Sequence, residues 1–138
     1  MILLEWRALA IWGALYACQG ADTLDLTLTT DKASYQAGEP IELILKLTNR
    51  SKQAIALEFS SSQRYDFEIA DSSGAKVWQW SADRMFAQML GTERLAPGES
   101  REYRERVSGS LAPGAYRVTG RITAADSTAR ASATFTVR

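Results

Sequence analysis

Strand-length segments with a two-residue apolar period, turn-forming tetrapeptides between them and the lack of a sustained helical period predict an all-β domain. The expected fold is an antiparallel β-sandwich of about eight strands with Greek-key connections. Leu24, Leu26 and Leu28 alternate with Asp25, Thr27 and Thr29. Ile41, Leu43, Leu45 and Leu47 repeat the pattern around Glu42 and Lys46, and Ile55, Leu57 and Phe59 follow. Tyr65, Phe67 and Ile69 alternate with Asp66 and Glu68, and Val77–Trp80 is a short aromatic run. Tyr103 and Val107 alternate loosely with charged residues; Tyr116, Val118, Gly120 and Ile122, then Ala131, Ala133, Phe135 and Val137, complete the set. One face of each segment is apolar and the other polar, as half-buried antiparallel strands require. Asp83–Leu90 is the one later stretch that suits a turn or two of helix.

The connections agree. Asn49-Arg50-Ser51-Lys52 and Asp71-Ser72-Ser73-Gly74 carry side chains that bond their own backbone or tolerate positive φ. Leu95-Ala96-Pro97-Gly98 and Leu111-Ala112-Pro113-Gly114 are the same tetrapeptide. Pro fixes φ and Gly accepts φ > 0, so both fit a type II turn. Tyr116 follows the second, placed for its phenol to reach back to backbone.

The 138 residues divide into a leader, a tether and one domain over residues 24–138. Ala8–Ala17 is an uncharged run after Arg7, shorter than the roughly 20 apolar residues that span a bilayer. It matches the apolar part of an export signal over residues 1–17. Leu15-Tyr16-Ala17-Cys18 resembles the bacterial lipoprotein box, with Cys18 as the lipidated residue and residues 18–23 as tether. The expected location is therefore the cell envelope, with a lipid anchor as the protein's sole hold on the membrane.

Composition narrows function mainly by exclusion. Sixteen Lys and Arg balance 16 Asp and Glu, which argues against nucleic acid as partner. There is no His and a single Cys, so a Ser-His-Asp triad, a Cys-His dyad, an internal disulfide and a cysteine zinc cluster are all ruled out. No cofactor or metal is expected, and no enzyme. Asp66 and Glu68, or Glu102 and Glu105, are the available carboxylate pairs. The first pair alternates with aromatics and reads as the solvated face of a strand rather than acid/base machinery.

The least sheet-like segment is Trp78–Leu90, WQWSADRMFAQML, whose charges are Asp83 and Arg84 alone. Trp and Met supply large contact area at small entropic cost, so this is the candidate partner-binding element. Met85 and Phe86 are the expected anchors and Gln88 the residue that orients the loop by bonding backbone. Trp78 and Trp80, two apart and so on one face of a strand, either hold the loop's base or close the core. An exposed Trp pair would instead make a stacking platform for a carbohydrate or small ligand.

Over residues 35–118 the order of motifs resembles the intracellular proteinase inhibitor (BsuPI) domain family. The general pieces are Tyr35…Gly38-Glu39-Pro40-Ile41, Leu47-Thr48-Asn49, Phe59-Ser60 and the two Pro-Gly corners. The specific ones are Gln63-Arg64-Tyr65-Asp66-Phe67, Val77-Trp78-Gln79-Trp80-Ser81 and Met85-Phe86-Ala87-Gln88. The resemblance implies an immunoglobulin-like sandwich and inhibition of a subtilisin-like serine protease through an exposed loop. The alternative left open is an envelope-anchored protein-interaction domain without inhibitory activity.

Overall fold

The computed structural model describes residues 24–138; the expected signal over residues 1–17 and the tether over residues 18–23, Cys18 included, lie outside the described residues. Ten strands follow in order: β1 (Leu24–Thr30), β2 (Ser34–Tyr35), β3 (Gly38–Asn49), β4 (Ile55–Phe59), β5 (Tyr65–Asp71), β6 (Lys76–Gln79), β7 (Gly91–Leu95), β8 (Ser100–Gly109), β9 (Gly114–Ile122) and β10 (Arg130–Val137). A 3-10 turn, Trp80–Asp83, separates β6 from the loop that leads to β7. One sheet has the order β1-β3-β8 and the other β2-β10-β9-β5-β6, with β4 and β7 as a separate pair. All neighbours are antiparallel except β2, which runs parallel to β10. The all-β, immunoglobulin-like sandwich is thus the observed architecture.

The alternation read from the sequence becomes the core. Leu43, Leu45 and Leu47 of β3, Phe67 and Ile69 of β5, Val118 and Ile122 of β9, and Phe135 and Val137 of β10 are all buried between the sheets. Leu57, Phe59 and Leu95 extend the same core from the β4–β7 pair. Gly120 belongs to this pattern for a steric reason. A Cβ there would come within 2.8 Å of Leu45 Cδ1 and 3.3 Å of Phe67, closer than packed carbon atoms approach.

Two strands escaped the pattern. β2 is too short to show a period, and β7 (Gly-Thr-Glu-Arg-Leu) has one buried residue, Leu95. The turns behaved unequally. At the first Pro-Gly corner Gly98 has φ +79° and the Glu99 N–H donates to Ala96 O at 3.0 Å, as a type II turn requires. At the second, Gly114 sits at φ +156°. There the Ala112 carbonyl accepts the Tyr116 hydroxyl at 2.5 Å. The expected reach-back of Tyr116 is therefore present, and the expected second type II turn is not. The Asp71 turn is stapled by its own carboxylate, which accepts from Ser73 N–H at 2.9 Å and Ala75 N–H at 3.1 Å. Those bonds, with the Ser73 hydroxyl first among them, hold the Asp71 pKa below the ordinary value.

Candidate functional site

The aromatic segment is built differently from the expected strand. β6 ends at Gln79, and Trp80–Asp83 winds as a 3-10 turn. Trp78 and Trp80 therefore do not share a strand face. Trp78 is half-buried on β6, opposite Ile69 of β5. Trp80 is 7% exposed. Its ring stacks on Tyr65, with centroids 4.7 Å apart, and Tyr65 in turn lies 4.6 Å from Tyr103 of β8. Phe86 adds to the column, 5.7 Å from Trp80. With Trp80 stacked inward, the Trp pair forms no exposed platform. Burial, and then the carboxylate of Glu105 that accepts its hydroxyl, drive the Tyr65 pKa well above the usual phenol range. Tyr65 is thus a neutral donor at any ordinary pH.

Asp66 holds this turn. Although read as part of a solvated face, it is 1% exposed. Gln79, the last residue of β6, and Ser81 of the turn that follows lie over it. Its carboxylate accepts from Ser81 N–H at 3.1 Å, Ser81 Oγ at 2.7 Å and Gln79 Nε2 at 2.8 Å, and from its neighbour Phe67 N–H at 2.9 Å. Arg121 lies 3.6 Å away. A buried carboxylate persists only with such a set of donors. No acid/base role follows, because Oδ1 is occupied by two backbone N–H groups and Oδ2 by the Gln79 and Ser81 side chains.

From this base runs a loop, residues 84–90, with no regular structure. Arg84 is extended, φ −118° and ψ 152°, and its N–H donates to Ser81 O at 3.2 Å. Its guanidinium lies over the Trp80 ring at 4.4 Å and its Nε donates to Trp80 O at 3.1 Å. Three residues on, Ala87 and Ser62 exchange two bonds: Ser62 N–H donates to Ala87 O and Ala87 N–H to Ser62 Oγ, both at 2.9 Å. Arg64 braces that neighbouring loop, donating to Ser61 O at 2.8 Å and Glu93 of β7 at 2.7 Å while covering Phe59 at 4.4 Å.

The named residues thus fall on two sides of the loop. Phe86 packs inward on Trp80, half-buried, whereas Met85 is 98% exposed. Gln88 is exposed, and among the described residues its side chain makes no hydrogen bond. The loop's orienting bonds run instead through the Ala87 backbone, which donates one to Ser62 and accepts one from it. Met89 at 66% and Leu90 at 87% exposure complete an apolar rim that was not singled out residue by residue. The sequence signal for them was present, since both lie in the segment poorest in charge. Among the described residues no group of three or more His, Cys, Asp or Glu is placed to hold a metal.

Fold and site together define a rigid immunoglobulin-like domain that presents a short apolar loop on an aromatic footing. The sequence pattern of the intracellular proteinase inhibitor (BsuPI) family matches residues 28–127, and the chain belongs to that family. No curated protein matches it. Among solved structures it resembles the C-terminal domain of Wzt at 12% identity and TM-score 0.54, covering 84% of this chain and 74% of that one. It also resembles the CARDB domain of a Pyrococcus furiosus protein in complex with di-metal ions, at 12% identity and TM-score 0.51, covering 83% and 87%. Part of the Pseudomonas fluorescens alkylpurine DNA glycosylase AlkC, bound to DNA containing an abasic site analog, matches at 18% identity and TM-score 0.53; the chain spans 30% of its length. At these identities the likenesses concern the fold alone.

Proposed function

We propose that this protein inhibits a subtilisin-like serine protease by offering loop 84–90 to the protease cleft. The observation that carries this reading is the contrast within one loop. Met85, Met89 and Leu90 are apolar and exposed, while the backbone is tied at Arg84 to a turn fixed by Asp66 and at Ala87 to Ser62. Exposed apolar groups on a flexible loop would lose much of their contact energy in being ordered. On a preorganised loop that cost is already met by the fold. Family membership supports the same reading. The sequence of residues 1–18 adds a second proposal, that the domain is carried to the cell envelope on a lipid at Cys18, so that its target is an exported protease.

Subtilisin titrated with the protein tests the activity. Hydrolysis of a chromogenic peptide should fall in proportion to added protein and reach a plateau near one-to-one. Degradation of the protein with no slowing of peptide hydrolysis would overturn the reading.

A further inference from the structure

We infer that Met85 is the side chain that fills the primary specificity pocket, and that the protease fitted by this protein has an apolar, uncharged pocket. This rests on the inhibitory reading of the loop and goes beyond it by naming one residue and one pocket chemistry.

Five side chains of the loop compete for the role, and geometry separates them. Arg84 would suit an acidic pocket, but its guanidinium is engaged on the Trp80 ring and its Nε on the Trp80 carbonyl. Phe86 is turned inward onto Trp80. Leu90 and Met89 are exposed. However, among the described residues neither has a backbone hydrogen bond holding it, and their stretch is next fixed at Gly91 of β7. Met85 alone is fully exposed and bounded on both sides by anchored residues: Arg84 bonded to Ser81, and Phe86 packed on Trp80 just before the Ala87–Ser62 pair. Its own N–H and C=O make no bond among the described residues, so they are free to pair with the extended backbone of a protease cleft. A straight, polarisable thioether chain suits a deep apolar slot and offers nothing to a buried carboxylate.

The same anchors bear on survival of the loop. The protease serine adds to the Met85 carbonyl carbon, its proton passes through the protease histidine to the Phe86 nitrogen, and the Met85–Phe86 bond breaks. The new Phe86 amine does not leave, because its ring stays on Trp80 and the next residue stays paired with Ser62. It can attack the acyl ester, return the serine and restore the peptide bond. The loop is thereby held as a poor substrate and a tight ligand.

The test compares wild type, Met85→Arg, Arg84→Ala and Leu90→Arg against subtilisin and against trypsin, with thermal melts of each variant. Wild type should inhibit subtilisin and not trypsin. Met85→Arg should weaken inhibition of subtilisin by about 30-fold or more, the scale of a lost interface anchor, and gain inhibition of trypsin at unchanged melting temperature. Leu90→Arg, a second charge on the same loop, should weaken subtilisin inhibition far less than Met85→Arg and gain no inhibition of trypsin. Slow cleavage by subtilisin should give a fragment that begins at Phe86. Trypsin inhibition by wild type that vanishes in Arg84→Ala would overturn the assignment. So would a Met85→Arg protein that inhibits subtilisin as well as wild type does. A wild type that inhibits neither protease would sink the inhibitory reading itself, a separate outcome.

Discussion

At the scale of single residues, the sequence conveyed which side chains face the core but not which polar groups the chain would fold over. Leu43, Leu45, Phe67, Val118 and Phe135 are buried as their alternation implied. Asp66 has the same alternation as Glu68, yet it is sealed under Ser81 and Gln79. A period of two marks the face of a strand and says nothing about what later wraps that face. The signal that was available is the pairing of blocks: Gln63–Phe67, Trp78–Ser81 and Met85–Gln88 are the specific family motifs, and they meet at one end of the sandwich through Asp66–Ser81, Tyr65–Trp80 and Trp80–Phe86. Asp66→Ala should therefore cost about 2–3 kcal/mol, since bonds to a charged acceptor are worth roughly that and several donors lose their partner together. Urea denaturation would measure it, and a change under about 0.5 kcal/mol, the range of ordinary surface substitutions, would show that water replaces the carboxylate freely. The accompanying effect on function is loss of inhibition at protein concentrations where the variant is still folded.

At the scale of elements, loop 84–90 shows why a helical expectation for Asp83–Leu90 failed. The segment has apolar residues enough for a helix, but the Ala87–Ser62 pair and the Phe86 ring on Trp80 tie it in a course with no regular structure. Tertiary contacts outweigh propensity in so short a piece. Phe86→Ala should act on both stability and binding. It removes a half-buried ring, costing about 1–2 kcal/mol, less than the roughly 3–5 kcal/mol of a fully buried Phe, and it frees Met85 to move. Inhibition should weaken more than the melt alone accounts for; weakening that a matched stability loss explains in full would make the ring purely structural. The corner joining β1, β2 and β3 gives a pH test. Burial, and then the bond its hydroxyl donates to Asp31 at 2.5 Å, push the Tyr35 pKa from 10.0 up to about 12. Burial works against the Asp31 carboxylate, but the bonds from Tyr35 and the Glu42 N–H outweigh it and hold its pKa below 3.8. A raised folded pKa gives stability that is complete below pH 10.0 and lost as pH climbs toward about 12. A lowered carboxylate gives stability present above pH 3.8 and lost as pH falls below it. Thermal melts of Tyr35→Phe across both limbs should show shallower loss at each end than wild type, and parallel curves would remove the corner from the account.

At the scale of the whole molecule, two halves of the reading have different footing. The sandwich was legible because about eight half-buried strands in one short chain leave few architectures that bury every apolar face. Loop 84–90 and the inhibition proposed for it rest on that frame. The leader rests on residues 1–18 alone, where an uncharged run ends at the only Cys of the chain. Position decides what that Cys is. Buried in a sandwich it would be a small apolar side chain, whereas behind a small residue at the close of an apolar run it is the acylation site proposed above. β1 begins at Leu24, so a lipid on Cys18 would sit only a few residues from the first strand. The domain would then ride close to the membrane face, within reach of proteases passing through export. The leader reading predicts that wild type partitions with membranes and labels with a radioactive fatty acid, while Cys18→Ser does neither. The variant's domain should keep its melting temperature and its inhibition of subtilisin, because no part of the loop or its footing lies before Leu24. A wild type recovered unlabelled and at full length from the cytoplasm would remove the anchor and the exported target together. It would leave the inhibitory loop to be judged on Met85 by itself.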